Sequence, residues 1–391
     1  MNNEQEKSKQ VLSEEQAKNK HSLSKKLKLL YIFVPIIIIV LVVATVFAIS
    51  FRNDSCQGRL IWKYQTGGHV FTLPAIYSGK IYAGSWDYYI YCLNEKNGAL
   101  VWKYKTEGAV NSAFSVYENK VYTGSDDGFL YCLNAETGKL EWKYKSGKEV
   151  RTSPTLTDGK VYFNSNDGYV YCLNANTGKL VWKYNTKSKY QGTPTVYDKR
   201  LYVSADKFYC LDANTGNEIW DYNAACTTPF FIRPAIYAGK VYFCGVVYLN
   251  NRSNWYVYCL NINDGSVKWS SRTIDSASFQ YISEGRLFAE TDSLENGVFN
   301  SWLCCFDLEN GDVINKQNFC ARSPLYSKIV DDSLYFESCS NFICSLSATD
   351  GKISQKFQIE SEIGPILVEN GRMYFGSGYE DNSIYCVDLK E

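Results

Sequence analysis

A cysteine slot that returns about every 40 residues limits what this chain can fold into more than any other feature of its sequence. It falls at Cys92, Cys132, Cys172, Cys210, Cys259, Cys305, Cys344 and Cys386, eight copies in all. A Gly follows six residues after each of the first six (Gly98, Gly138, Gly178, Gly216, Gly265 and Gly311) and seven after the seventh (Gly351), and a Trp ten residues after each of the first five (Trp102, Trp142, Trp182, Trp220 and Trp269). Copies six and seven carry Asn315 and Ser354 in place of the Trp. A period near 40 suits β-propellers or helical repeats, and the text between the slots decides between them. Residues 120–134, KVYTGSDDGFLYCLN, alternate apolar and polar side chains around an Asp-Gly turn, which is hairpin chemistry. Each unit therefore reads as four strands, illustrated by AFSVYE, KVYTGS, FLYCLN and KLEWKY, the content of one propeller blade.

The two ends of the repeat region complement one another. Residues 58–64, GRLIWKY, are the second half of a unit, with Trp62 in the Trp slot, and residues 385–391, YCVDLKE, are a first half. Pairing them closes the ring and leaves no free edge between first and last units. The expected fold is thus all-β, an eight-bladed β-propeller over residues 58–391. Successive strand side chains face opposite sides of a sheet, so the slot cysteines should pack as small apolar groups against the neighbouring blade. The Trp should fill the gap between sheets and give its indole N–H to a backbone partner. Disulfides between slots of adjacent blades are not expected, because stacked sheets sit ~10 Å apart and a disulfide needs Cα atoms within roughly 7 Å. Cys56, Cys226, Cys244, Cys304, Cys320 and Cys339 lie outside the slot, and their pairing is not readable from sequence.

The pattern Cys-x-Asn-x-x-x-Gly-x-x-x-Trp resembles the Ala-x-Asp-x-x-x-Gly-x-x-x-Trp tryptophan-docking motif of the pyrroloquinoline-quinone-like (PQQ-like) propellers, with Cys for Ala and usually Asn for Asp. The resemblance covers residues 58–391 and implies the propeller fold. That family includes quinoprotein dehydrogenases and also the eight-bladed, non-catalytic propeller of the bacterial outer-membrane assembly machinery (BamB-like), so fold does not choose function. The dehydrogenases place their quinone over the ring axis with a Ca²⁺, a vicinal disulfide and a base Asp. Cys304 and Cys305 are adjacent, but Cys305 occupies an ordinary repeat slot, and no residues match the Ca²⁺ ligands or the base. About 42 residues per blade leave no room for the insertions that build those enzymes' substrate sites. Neither PQQ nor Ca²⁺ is expected here. His69, the single histidine after His21, reads as a polar loop residue.

Upstream of the repeats, residues 1–28 carry seven Lys and four Glu with almost no aromatic or β-branched side chains, the composition of a disordered tail. Residues 29–51 are uncharged and long enough as a helix to cross a ~30 Å hydrocarbon core. They read as a single-pass signal anchor. Lys25, Lys26 and Lys28 flank its start while only Arg52 and Asp54 closely follow its end, which puts the tail in the cytoplasm and the rest of the chain outside. The alternative is a cleaved secretory signal with Ala48 and Ser50 as its small-x-small site, although the apolar run exceeds the usual ~7–15-residue signal core. Residues 52–57 then form a linker. Across the whole chain 41 basic residues balance 41 acidic ones, so no nucleic-acid footprint is present.

Function is sought where the repeat is violated. Blades five and six are long because the turn between their second and third strands grows into VVYLNNRSNW, residues 246–255, and TDSLENGVFNSW, residues 291–302. In a propeller such turns share a face with the loops leading into each innermost strand, which here carry Arg151, Gln191, Arg233 and Arg322. Trp86 and Trp255 fall near the same turns and are read as exposed contacts, whereas Trp302 takes the place of Phe129 and Tyr169 and is read as packing. The candidate binding residues are Trp86, Arg151, Gln191, Arg233, Trp255 and Arg322. No catalytic or metal-binding residue is expected. The acidic turns GSDDGF and NSNDGY lack the spacing of a Ca²⁺ loop and read as hairpin turns. The expectation is a membrane-anchored, extracytoplasmic binding or assembly module for envelope or surface proteins or polysaccharide. A PQQ-dependent quinoprotein dehydrogenase is the alternative, and a small-ligand sensor a further one.

Overall fold

A computed structural model describes residues 58–389 except 190, 225–232, 250–251, 274–278, 284, 296–297, 320–327, 331–332, 338–341, 348–351, 360 and 380. These residues belong to one compact unit, Cys56–Glu391. The expected tail, anchor and linker lie outside the described residues, among which no helix is long and apolar enough to cross a membrane.

The described strands form eight four-stranded antiparallel sheets, one for each repeat. In the second blade Ser115–Tyr117, Lys120–Gly124, Phe129–Asn134 and Leu140–Lys145 follow in sequence order across the sheet. The short first strands are linked from blade to blade: the Thr155 hydroxyl donates to the Pro194 carbonyl at 2.7 Å, and that of Thr195 to Pro234 at 3.1 Å. They line the ring's inner side. The last sheet runs Arg59–Gln65, Ser383–Asp388, Arg372–Gly376, Leu367–Glu369, so the chain's first strand is the outer strand of its last blade. Trp62 stands opposite Cys386 as Trp102 stands opposite Cys92, which is the closure the half motifs imply.

Cys, Gly and Trp recur because they meet at six of the eight junctions between blades, the other two being those where Asn315 and Ser354 replace the Trp. In each pair of third and fourth strands the register slips by one residue beside the Cys, with Cys132 opposite Trp142 and Leu133 opposite Leu140, a bulge that sets the indole over the thiol. The indole N–H then crosses to the next blade: Trp62 donates to the Glu95 carbonyl at 2.9 Å, Trp102 to Ala135 at 3.0 Å, Trp142 to Ala175 at 2.9 Å and Trp269 to Leu308 at 3.0 Å. Gly138, at φ +68°, makes a left-handed turn, and a Cβ there would lie 2.6 Å from the Trp102 ring. The glycine of one blade is thus the floor for the tryptophan of the blade before it. Cys92 packs with Tyr82 and Trp102 against Val121, Tyr131 and Leu133 of the next blade. The ten described cysteines are free and buried; Cys56, Cys226, Cys320 and Cys339 lie outside the described residues. Where Asn315 replaces Trp, a cleft lined by Phe288, Leu303, Cys305, Asn315, Gln317, Leu346 and Ser347 opens between blades six and seven.

One expectation needs correction. The long segments of blades five and six are paired strands rather than loops. Lys240–Leu249 runs antiparallel to Arg252–Asn261 with Leu249 opposite Arg252, and Arg286–Glu295 to Val298–Asp307 with Glu295 opposite Val298. Their second strands have ten residues where Lys120–Gly124 has five. Val246, Val247 and Tyr248 facing Trp255, Asn254 and Ser253 are β-formers on one side, and the ladder satisfies their backbone groups.

Candidate functional site

The turn of the second blade reads Ser125, Asp126, Asp127, Gly128. Asp127 serves the turn: its carboxylate accepts the Phe129 N–H at 2.9 Å, the Tyr131 hydroxyl at 2.7 Å and the Glu107 N–H at 2.9 Å. Asp126 faces the other way. It accepts Nε and Nη2 of Arg151, in the loop leading into blade three, at 2.7 and 2.9 Å. It also accepts Nδ2 of Asn111, in the loop leading into its own blade, at 2.8 Å. Asn111 Oδ1 in turn accepts the indole N–H of Trp86, from the turn of blade one. Trp86, Asn111, Asp126 and Arg151 therefore form one hydrogen-bonded line over three blades. The bonds to Asp126 hold the Arg151 guanidinium above its ordinary pKa, so it stays cationic, while 36% of the Arg151 side chain and 20% of that of Asp126 remain open to solvent.

The line ends in aromatic rings. His69 lies edge-on to Trp86 at 4.8 Å and to Tyr379 at 4.8 Å, and stacks on Phe71 at 5.6 Å with 7° between planes. Phe71 meets Trp86 edge-on at 5.8 Å. The backbone N–H of Tyr379 donates to His69 Nδ1 at 2.6 Å, and that of Trp86 to the His69 carbonyl at 2.9 Å. Tyr379 comes from the last blade, and His69 and Phe71 from the loop leading into the first. The cluster thus bridges the ring closure. Trp86 keeps 42% of its surface exposed and Tyr379 67%. Beside them Tyr88 holds φ 72°, where sister blades have Gly128 and Gly168. A side chain in that region costs about 1–2 kcal/mol and stays there only when its surroundings fix it.

Of the residues singled out in sequence, Trp86 and Arg151 are brought together through Asn111 and Asp126. Gln191 is 2% exposed and donates to Thr186 Oγ1 and the Ser188 carbonyl, each at 2.9 Å, so it belongs to the wall of blade four rather than to a contact surface. Arg233 reaches solvent, yet burial draws its guanidinium below the ordinary arginine range. Trp255 is half-buried on the long ribbon opposite Val246. Arg322 lies outside the described residues. Trp302 is half-buried with Lys316 Nζ 3.9 Å above its ring, as Lys143 covers Phe129 at 4.3 Å, so it packs as expected. Sequence reading missed Phe71, Asn111, Asp126 and Tyr379, and took His69, the hub of the cluster, for a plain loop residue. The available signal was a break in pattern: SWDYY in blade one stands where blade two has SDDGF.

The adjacent Cys304 and Cys305 are divided between two blade junctions. Cys304 packs with Tyr242, Cys259 and Trp269 of blade five, whereas Cys305 packs with Leu334, Phe336 and Cys344 of blade seven. The two side chains face opposite sheets. Among the described residues no group of three or more His, Cys, Asp or Glu is disposed to hold a metal ion.

Eight four-stranded blades, closed by the first strand and joined by a repeated Cys, Gly and Trp, define a PQQ-like repeat β-propeller. The family model described as outer membrane protein assembly factor BamB matches residues 87–317 and 166–391, well over half of the sequence. The chain belongs to that family. Among solved structures it is similar to BamB from Moraxella catarrhalis, at 15% identity and TM-score 0.66, covering 85% of this chain and 99% of that one. It is also similar to the quinohemoprotein alcohol dehydrogenase ADHIIG from Pseudomonas putida HK5, at 12% identity and TM-score 0.64, covering 85% and 76%. A europium-containing methanol dehydrogenase aligns at 13% identity and TM-score 0.66, covering 85% and 94%. At such identities the likeness shows the fold alone. A comparison with curated protein sequences gives no match.

Proposed function

We propose that this chain is a membrane-anchored, extracytoplasmic propeller that binds envelope proteins or surface polymers and catalyses no reaction. The observation that carries the reading is the line from Trp86 through Asn111 and Asp126 to Arg151, with its aromatic end at Tyr379. Exposed Trp and Tyr beside a fixed Arg are the side chains that dominate binding energy at interfaces, and their hydrogen bonds pre-order them for it. The name of the family and of the Moraxella protein, an assembly factor, agrees with a binding role. Anchoring rests on the uncharged residues 29–51 and the Lys cluster before them.

The test is capture of partners from native membrane extracts by the tagged full chain, followed by mass spectrometry. Trp255→Ala with Arg233→Ala, on the ribbon and in the loop leading into the first strand of the same blade, should weaken capture while the melting temperature moves by no more than a few degrees. Undiminished capture by this double variant removes the ribbon from the contact surface, and capture of no partner, or micromolar binding of the quinone with dye-linked alcohol oxidation, overturns the reading.

A further inference from the structure

Four aromatic rings and a polar line meet over the ring closure, and the backbone there is already committed. The N–H of Trp86 is held by the His69 carbonyl, that of Asp126 by Ala109, that of Asn166 by Glu149 and that of Gly378 by Glu362. Tyr379 N–H is held by the His69 ring. An extended peptide binds by adding a strand to unpaired backbone groups, and these turns offer it none of those N–H donors. What they present is side chains.

Those side chains have a defined chemistry. The Trp86 indole N–H is engaged by Asn111, so the ring is pinned and its remaining contribution is its π-face. That face is electron-rich and attracts the weakly positive C–H groups on the flat side of a pyranose. Tyr379 offers a second, more exposed ring on the other side of His69. Next along the line come an amide, a carboxylate and a guanidinium in fixed positions, groups suited to the paired hydroxyls of a sugar. Asp126 and Arg151 neutralise one another through two hydrogen bonds. The line therefore carries no net charge to attract a phosphate, a sulfate or a strongly charged peptide.

We infer that this surface, from Tyr379 and Trp86 to Asp126 and Arg151, is a binding site for a neutral glycan strand. The first sugar stacks on Trp86 and Tyr379, and the strand runs over blades one to three with its hydroxyls on Asn111, Asp126 and Arg151. The site deepens the proposed role by naming one polymer class, and it rests on that role only in placing the propeller outside the membrane.

The test uses the full chain in a detergent without a sugar headgroup. Cellohexaose, laminarihexaose and chitohexaose are titrated with saturation-transfer NMR as readout, and a heparin hexasaccharide serves as the charged control. At least one neutral hexasaccharide should bind, and Trp86→Ala and Tyr379→Ala should each lower its affinity about tenfold or more. Trp86→Phe should retain part of the binding, and Asn111→Ala, which frees the indole, should weaken it. Melting temperatures within a few degrees of the parent show that the ring is intact, and Tyr379→Ala, at a mostly exposed residue, carries the test if Trp86→Ala does not fold. Binding by none of the three neutral sugars, unchanged binding by both alanine variants, or a preference for heparin overturns the inference. Partner capture that survives while every sugar fails sinks this site alone; sugar binding that survives while the Trp255 and Arg233 variant captures normally sinks the assignment of partner contacts to that ribbon.

Discussion

Trp142 donates its indole N–H across the gap between blades to Ala175 and rests on Gly178. Removing the ring leaves a cavity and takes one of two donors from the Ala175 carbonyl, which keeps the Tyr122 hydroxyl at 3.1 Å, so Trp142→Ala should cost about 3–5 kcal/mol in denaturant unfolding. A cost under about 1 kcal/mol would show that the slot does not hold the blades together. Gly178→Ala should also destabilise, because a methyl would sit 2.6 Å from the same ring on a backbone at φ +67°. Burial pushes the thiols of Cys92, Cys132 and Cys172 up to about 12, so at pH 8 they are protonated and should resist iodoacetamide until the chain unfolds. Rapid labelling of the native protein at these positions would contradict their role as packing groups. The slots themselves were legible, because each repeats at a fixed offset. The partnership of Gly178 with Trp142 was not, since it joins residues of neighbouring repeats and no single unit contains both.

Closure depends on the pairing of Arg59–Gln65 with Ser383–Asp388, and deletion of residues 385–391 should therefore strip a strand from the last blade and sharply lower the melting temperature. A truncated chain that melts like the parent would show that the ring closes otherwise. The same junction carries a charge. Lys63 Nζ meets Asp381 Oδ1 at 2.5 Å, and the Tyr385 and Ser377 hydroxyls also donate to Asp381. Burial alone would raise the Asp381 carboxyl, but hydrogen bonds from Lys63, Tyr385 and Ser377 outweigh it and hold the group below its ordinary value. A carboxyl lowered on folding adds stability at pH above its unfolded value of ~3.9, and that stability fades as pH falls through the folded value. Melting of the parent should drop as pH falls below about 4, and Asp381→Asn should remove part of that dependence. An identical acid profile in the variant would discount the junction. The complementary half motifs made this closure readable from sequence. The long ribbons were not, because excess length looks the same whether the added residues pair or loop.

At the scale of the molecule, the expected topology makes a direct prediction: protease added to intact cells should cut the propeller and spare a tag placed before Lys7. Protection of the large domain would reverse the orientation. The proposed binding surface shows why a site is harder to read than a fold. His69 and Tyr379 touch across 310 positions of sequence, and Asn111 joins Trp86 to Asp126 only because three blades stand side by side. Repeats announce their own packing, whereas a contact between their exceptions appears only once the ring is assembled. The velcro between first and last strands also sets a clock. Gln65 waits for Ser383, 318 positions later, and at ~5–20 residues per second of synthesis the delay is on the order of 15–60 s. During that time every nascent chain carries an unmatched strand, and a chain that ends early never loses it. Such an open edge is a template for pairing with another chain, and closure removes it.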